Sequence, residues 1–212
     1  MSTRTKVITV ISLILGWLIL DQVFKILVKT NMSMGESIHV FGNWFILHFV
    51  ENNGMAFGVS FGGVVGKIAL TLFRLVAVSV LSYFIHLMIK RGAPLGFILA
   101  LGLITAGAAG NIIDSAFYGL IFSESGYANV MVPDSGIAKL FPKEGGYAPF
   151  LQGRVVDMLY FPIIKGNWPE WFPFWGGKSF LFFRPVFNLA DTAITCGVAW
   201  IILFQRKTLK TL

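Results

Sequence analysis

Charge is scarce in this chain. Only 13% of its 212 residues are Asp, Glu, Lys or Arg, about half the ~25% of an ordinary soluble domain. A soluble fold of this length would need more charge to cover its surface, so a freely soluble enzyme is excluded. Cysteine is nearly absent. Cys196 stands alone, which rules out an intrachain disulfide framework and metal sites built on paired cysteines. Its apolar setting reads as core rather than nucleophile. The three histidines, His39, His48 and His86, fall in no nucleophile motif and form no zinc-binding cluster. A glycine loop that would cradle phosphate is also missing. No metal and no cofactor is therefore expected. Acidic residues are few as well, ten against seventeen basic, for a net charge of +7. The basic residues sit at the ends of apolar runs rather than on a soluble face, so nucleic acid is not an expected partner.

What the chain has in place of charge is apolar bulk: 56% hydrophobic residues, 21 Phe and 6 Trp, with mean hydropathy +0.75. Four stretches match the ~20 apolar residues needed to cross a bilayer, at about 7–27, 64–89, 95–121 and 181–204. The expectation is an all-α membrane protein, one integral domain over 1–212. Arg4 and Lys6 before the first run resemble the start of a signal peptide, but Asp21-Gln22-Val23-Phe24-Lys25 follows in place of a small-x-small cleavage site, so an uncleaved helix is expected. Arg4, Lys6, Lys90, Arg91, Arg206, Lys207 and Lys210 flank the spans with no acid among them. The positive-inside rule then predicts cytoplasmic termini and two outward connections. The first, at about 28–63, carries alternating strand-like runs with Gly42-Asn43 as a turn, a small extracytoplasmic β-element at about 36–62. The second, at about 119–180, opens with a Gly/Ser/Pro-rich stretch and ends in Trp168, Trp171, Phe172, Phe174 and Trp175, an interfacial loop or helix region. On the third span Gly102, Ala106 and Gly110 recur every four residues and predict close helix packing.

Carboxylates are expensive in membrane spans, so each one points to function. Asp21 and Asp191 both lie 15 residues from a basic inner flank, roughly 22 Å up at 1.5 Å per residue. Asp114 falls at the outer end of its span, and Asp157 lies in the outer connection. Acids gathered toward one depth predict a single polar site opening outward. Asn111 lies three residues before Asp114, Asn188, Asp191, Thr192 and Thr195 recur at helical spacing, and Asp21 and Lys25 are four apart, as an ion pair would be. Lys67 and Arg74 are placed to snorkel or to partner these acids. Two carboxylates sharing a proton can run acid–base hydrolysis. The same groups could carry protons or cations in a transporter, or act as glue in an assembly factor.

Five motifs in order narrow this choice. They are Asp21-Gln22 with Lys25; Asn52-Asn53-Gly54-Met55-Ala56-Phe57-Gly58; Gly107-Ala108-Ala109-Gly110-Asn111-Ile112-Ile113-Asp114; Gly153-Arg154-Val155-Val156-Asp157; and Phe187-Asn188-Leu189-Ala190-Asp191. Together they resemble the lipoprotein signal peptidases (signal peptidase II), an aspartic membrane-protease family of the bacterial inner membrane. The resemblance implies Asp157 and Asp191 as the catalytic dyad. It implies Asn111, Arg154 and Asn188 as orienting groups, Asn52 at the cleft, and Asp21, Lys25 and Asp114 as polar support. The implied substrate is a diacylglyceryl-modified prolipoprotein, cut just before its lipidated cysteine. Membrane lipid and the cyclic peptide inhibitor globomycin are implied partners. Two departures stand out: Ser115 where the family has Arg, and an added stretch at about 122–149, a surface insertion or a flap.

Overall fold

The structure, a computed structural model, describes residues 1–52, 63–128, 136–182 and 184–210. Residues 53–58 of the motif that begins at Asn52, and the end of the expected β-element, lie outside the described residues. Helix α1 (Thr3–Asn31) opens on a Ser2 cap whose side chain accepts from the Thr5 amide at 3.1 Å. Strands β1 (Ser37–Phe41) and β2 (Phe45–Asn52) follow, then α2 (Gly63–Lys90) and α3 (Leu95–Ile113). The turn between α2 and α3 uses Gly92 at φ 77°, a conformation open to glycine, and Pro94 caps α3. A π-helical turn, Asp114–Tyr118, widens the end of α3 before the short α4 (Gly119–Ile121). Strands β3 (Val155–Tyr160), β4 (Ile164–Asn167), β5 (Ser179–Phe182) and β6 (Val186–Phe187) precede α5 (Leu189–Phe204) and α6 (Arg206–Lys210).

Among the described residues, three helices are long and apolar enough to cross a membrane: Thr3–Asn31, Gly63–Lys90 and Leu95–Ile121. The fourth expected stretch forms a shorter apolar helix, Leu189–Phe204. The fourth stretch was read as starting at 181, but residues 179–182 and 186–187 are strand. Helix α5 keeps 16 residues, about 24 Å, against a hydrocarbon core of ~30 Å. Pro185 and the Asn188 cap explain the late start: one lacks the amide a helix needs, and the other places its side chain where the helix begins.

The fold is helical but not all-α. A four-stranded antiparallel sheet runs β1-β2-β3-β6, and β4 pairs with β5 in a separate hairpin. The β-element of the sequence reading supplies only its first two strands; β3 comes from the outer connection. Strand β3 is buried along nearly its whole length, so its apolar run shows no alternation. Its partner β2 is shifted in register between Leu47 and Val50 and pairs Val50 with Asp157, Glu51 with Val156 and Asn52 with Val155.

Helix α3 is the most enclosed of the three long helices. Its glycines set the packing distance. A Cβ at Gly107 would lie 2.1 Å from the Ala190 carbonyl of α5, and one at Gly110 would lie 2.7 Å from Asp21 Oδ2 of α1. Two apolar cores result. One, around Met88, Phe97 and Ile98, joins the ends of α2 and α3 to Val10. The other joins Val28 and Met32 of α1 to Phe49, Val156 and Met158 of the sheet and to Phe122 and Ala138 of the added stretch. Each large side chain so buried contributes about 1.5–3 kcal/mol. The polar site lies between the two cores. In the β4–β5 connection, Trp168 stacks on Phe172 with centroids 4.6 Å apart, while Phe174 is 92% exposed and Trp171 79%. The aromatic cluster is thus part packed and part presented outward.

Candidate active site

Asp157 is presented by β3 and is buried. Its Oδ1 accepts from Asn188 Nδ2 at 2.7 Å and its Oδ2 from Asn52 Nδ2 at 3.2 Å. Asn52 lies diagonally across the β2–β3 pair, within reach on the same sheet face. Burial, and then the neighbouring Asp191 charge, push the Asp157 carboxyl up to about 7, against the pull of the Asn52 and Asn188 hydrogen bonds.

Asp191 occupies the first turn of α5. Asn188 and Asp191 form a reciprocal capping box: the Asn188 side chain accepts from the Asp191 amide at 2.9 Å, and the Asp191 carboxylate accepts from the Asn188 amide at 3.4 Å. Asn188 therefore precedes the helix rather than sharing a helical face with Asp191, and Thr195, grouped with them by spacing, is exposed. Asn111 of α3 donates to Asp191 Oδ1 at 2.9 Å and accepts from Asn188 Nδ2 at 3.2 Å. Two asparagines thus tie Asp157 to Asp191. A neutral amide can serve both carboxylates without adding charge.

Beneath them lies a buried ion cluster. Lys25 Nζ is 2.8 Å from Asp21 Oδ2, 2.8 Å from Asp114 Oδ2 and 3.0 Å from Asn111 Oδ1. Asp21 Oδ1 accepts from the Ala190 amide at 2.9 Å, so the first span holds the start of α5 directly. Trp17 adds to that grip through the Leu189 carbonyl at 2.9 Å. Gln22 donates to Asp114 Oδ1 at 2.9 Å and accepts from the Tyr118 hydroxyl at 3.1 Å. The Val156 amide reaches Asp114 Oδ2 at 3.4 Å, next to Asp157 on β3.

The structure brings together Asn52, Asn111, Asn188, Asp157 and Asp191, with Asp21, Lys25 and Asp114 behind them. Arg154 it places elsewhere: the guanidinium pairs with Glu51 at 3.1 Å and Glu124 at 2.7 Å and lies over the Tyr147 ring. The reason is strand alternation, which turns residue 154 to the face opposite Asp157. Ser115 is buried, and its hydroxyl donates to the Asn111 carbonyl at 2.9 Å. Lys25 supplies the cation at Asp114. Arg74 forms no ion pair there. Its Nη1 is buried with no hydrogen-bond partner among the described residues, and the charges facing it are Asp191, Asp114 and Asp157. Lys67 donates to the Gln152 carbonyl at 2.7 Å. Cys196, read as core, is exposed on α5.

Sequence reasoning missed Lys29, Glu51, Ser125 and Tyr147, which cluster behind β2 and β3. The Glu51 carboxylate is buried, which by itself would raise its pKa. Lys29, Ser125 and Arg154 overcome that and hold it below the ordinary carboxylate range. The available signal was the four-residue step from Lys25 to Lys29, which puts a second cation on the same face of α1.

The profile of the family described as Signal peptidase (SPase) II matches residues 13–206. The lipoprotein signal peptidase of Porphyromonas gingivalis is 48% identical over 204 residues, covering 96% of this chain and 85% of that protein. The lipoprotein signal peptidase of Amoebophilus asiaticus is 37% identical over 195 residues, covering 91% and 75%. A bacterial membrane enzyme solved by the in meso method at 2.3 Å superposes with a TM-score of 0.59 at 26% identity, covering 96% of this chain and 90% of that one. These matches lend nothing to a transporter. The chain belongs to the signal peptidase II family, the proteases that remove signal peptides from prolipoproteins.

Proposed function

We propose that this chain is an aspartic endopeptidase that cuts diacylglyceryl-modified prolipoproteins just before the lipidated cysteine, with Asp157 and Asp191 as the catalytic pair. The observation that carries the reading is the Asn111–Asn188 bridge between two carboxylates, one of them pushed up to about 7. Two such carboxylates can share one proton. The ionised carboxylate takes a proton from water as the water oxygen attacks the scissile carbonyl carbon. The protonated carboxyl gives its proton to the amine as the C–N bond breaks. No covalent enzyme intermediate forms, and no metal or cofactor enters. Asn52 and Asn188 hold Asp157, and Asn111 holds Asp191. Lys25, Asp21 and Asp114 fix the helices that present them.

The site is entered from the outer side of the bacterial inner membrane, with both termini cytoplasmic. Lys6 supports this: its Nζ donates to the Ala93 carbonyl at 2.6 Å, so the start of α1 and the α2–α3 turn share one end of the molecule. Helix α5 makes the fourth crossing. It is short because its first turn starts at the depth of the dyad, and strand β6 brings the chain to that point. Lipid chains on the cysteine lie beside α5 in the bilayer and bring the scissile bond to the same depth. Globomycin competes for that cleft.

The test is a gel-shift cleavage assay in detergent or lipid, using a diacylglyceryl-modified proprotein, its unmodified form and the Asp157→Asn variant. Cleavage of the modified form alone, lost in the variant, is the expected result. Equal cleavage of the unmodified form would refute the lipid requirement, and full activity in Asp157→Asn would refute the dyad.

A further inference from the structure

The sheet that presents Asp157 carries a second polar cluster on its reverse face. Alternation along β2 and β3 sends Asn52 and Asp157 to one side and Glu51 and Arg154 to the other. The Glu51 side chain is 1% exposed and ion-paired with Lys29, which is fully buried. Glu51 Oε1 also accepts from Ser125 Oγ at 2.8 Å, and Oε2 from Arg154 at 3.1 Å. Lys29 donates to the same Ser125 hydroxyl at 2.8 Å and stands 5.0 Å from the Tyr147 ring centroid. The Tyr147 hydroxyl accepts from the Arg154 amide at 2.6 Å. Ser125, Glu124 and Tyr147 all belong to the added stretch 122–149, which the proposed reaction does not use.

Covalent adjacency links this cluster to the dyad. Glu51 immediately precedes Asn52, which donates to Asp157. Arg154 lies three residues before Asp157 on the same segment. Lys29 lies one helical turn beyond Lys25, which bonds Asn111. Buried charges with every partner in place form an all-or-none arrangement, because an unpaired one is strongly unfavourable.

We propose that Glu51 is a positioning residue for the peptidase reaction. Clamped from behind by Lys29, Arg154 and Ser125, it fixes the β2 backbone so that Asn52 stays aimed at Asp157. Ser125, Glu124 and Tyr147 of the added stretch form the wall against which Glu51 and its partners are held. This role rests on the dyad reading above. The effect passes through Asn52, so a double-mutant cycle measures it.

The cycle uses purified full-length protein and the lipid-modified proprotein. Glu51→Gln is expected to lower kcat about tenfold with KM little changed. The ionisation assigned to Asp157 should move upward, because a donor to its charged form is misplaced. Asp191 of α5, Lys25 of α1 and Arg74 of α2 carry the charges facing Asp157; loss of the Glu51 charge would by itself move the ionisation down, so an upward movement reports Asn52. Glu51→Gln combined with Asn52→Ala should lose no more than Asn52→Ala alone. Additive losses, or a loss in KM alone with an unchanged pH profile, would overturn the role. Should Glu51→Gln fail to fold with Lys29 left unpaired, Lys29→Met with Glu51→Gln removes both buried charges and enters the same cycle with the same two outcomes. A wild-type chain that cleaves nothing would refute the reaction and this role with it; wild-type cleavage with an additive cycle refutes the role alone.

Discussion

Asp157 and Glu51 lie on paired strands of one sheet, both buried, and are tuned in opposite directions. Asp157 meets neutral amides and another carboxylate, and burial pushes it up to about 7. Glu51 meets two cations and a hydroxyl and is held below its ordinary range. Burial alone therefore says little about a carboxylate; its partners decide. Amides orient without neutralising, which leaves Asp157 able to exchange a proton. Cations neutralise, which leaves Glu51 inert and rigid. One face of the sheet is kept labile and the other is kept fixed.

The strongest way to break this contrast is to remove either dyad carboxyl. Asp157→Asn and Asp191→Asn should each lower cleavage by about 10²–10⁴-fold, the range general acid–base catalysis supplies. Because Asp157 is strained toward neutrality, its Asn variant should unfold at the same or a higher temperature in detergent; a large fall would assign it a structural role. Next in size is Lys25→Met, which leaves Asp21 and Asp114 facing each other without their cation. Breaking a buried pair in this way costs about 3–5 kcal/mol, read as a lower unfolding midpoint.

A smaller effect sharpens the contrast by sign. The folded-state value for Asp157 lies above its ordinary 3.8, at about 7. The folded state therefore holds more protons between those values, and this group's contribution to stability declines as pH rises through that window. Glu51 has the opposite sign: its contribution is full above its ordinary 4.5 and is lost as pH falls through its lowered folded value. Unfolding midpoints measured against pH should lose the first slope in Asp157→Asn and the second in Glu51→Gln. The least effect belongs to Glu124→Gln. Its side chain is 61% exposed, so its pair with Arg154 is worth less than about 1 kcal/mol, within the scatter of a melting curve.

The long apolar helices were legible because apolar bulk with charged flanks is a local signal. The site acids were legible because a carboxylate in such a run has few structural reasons to be there. Three things were not. The start of α5 was hidden because apolar residues at 181–182 and 186–187 read like more of the span although they belong to β5 and β6. Strand β3 was hidden by burial on both faces, which erases alternation. The Glu51 cluster was hidden because its members are brought together only by the sheet and the added stretch. Arg154 was given a role at the dyad because it stands in a motif beside Asp157, and three residues along a strand is enough to reverse its direction.

The π-helical turn at Asp114–Tyr118 has an evolutionary reading. A turn of this kind absorbs one residue more than an α-helix holds, and the helix on either side keeps its phase. The position is therefore a place where the chain's length can change by one without re-aiming Asn111 upstream or Gly119 downstream. A relative one residue shorter at this turn would keep the same helix phase on either side, so the turn is where the third span can tolerate a change of length.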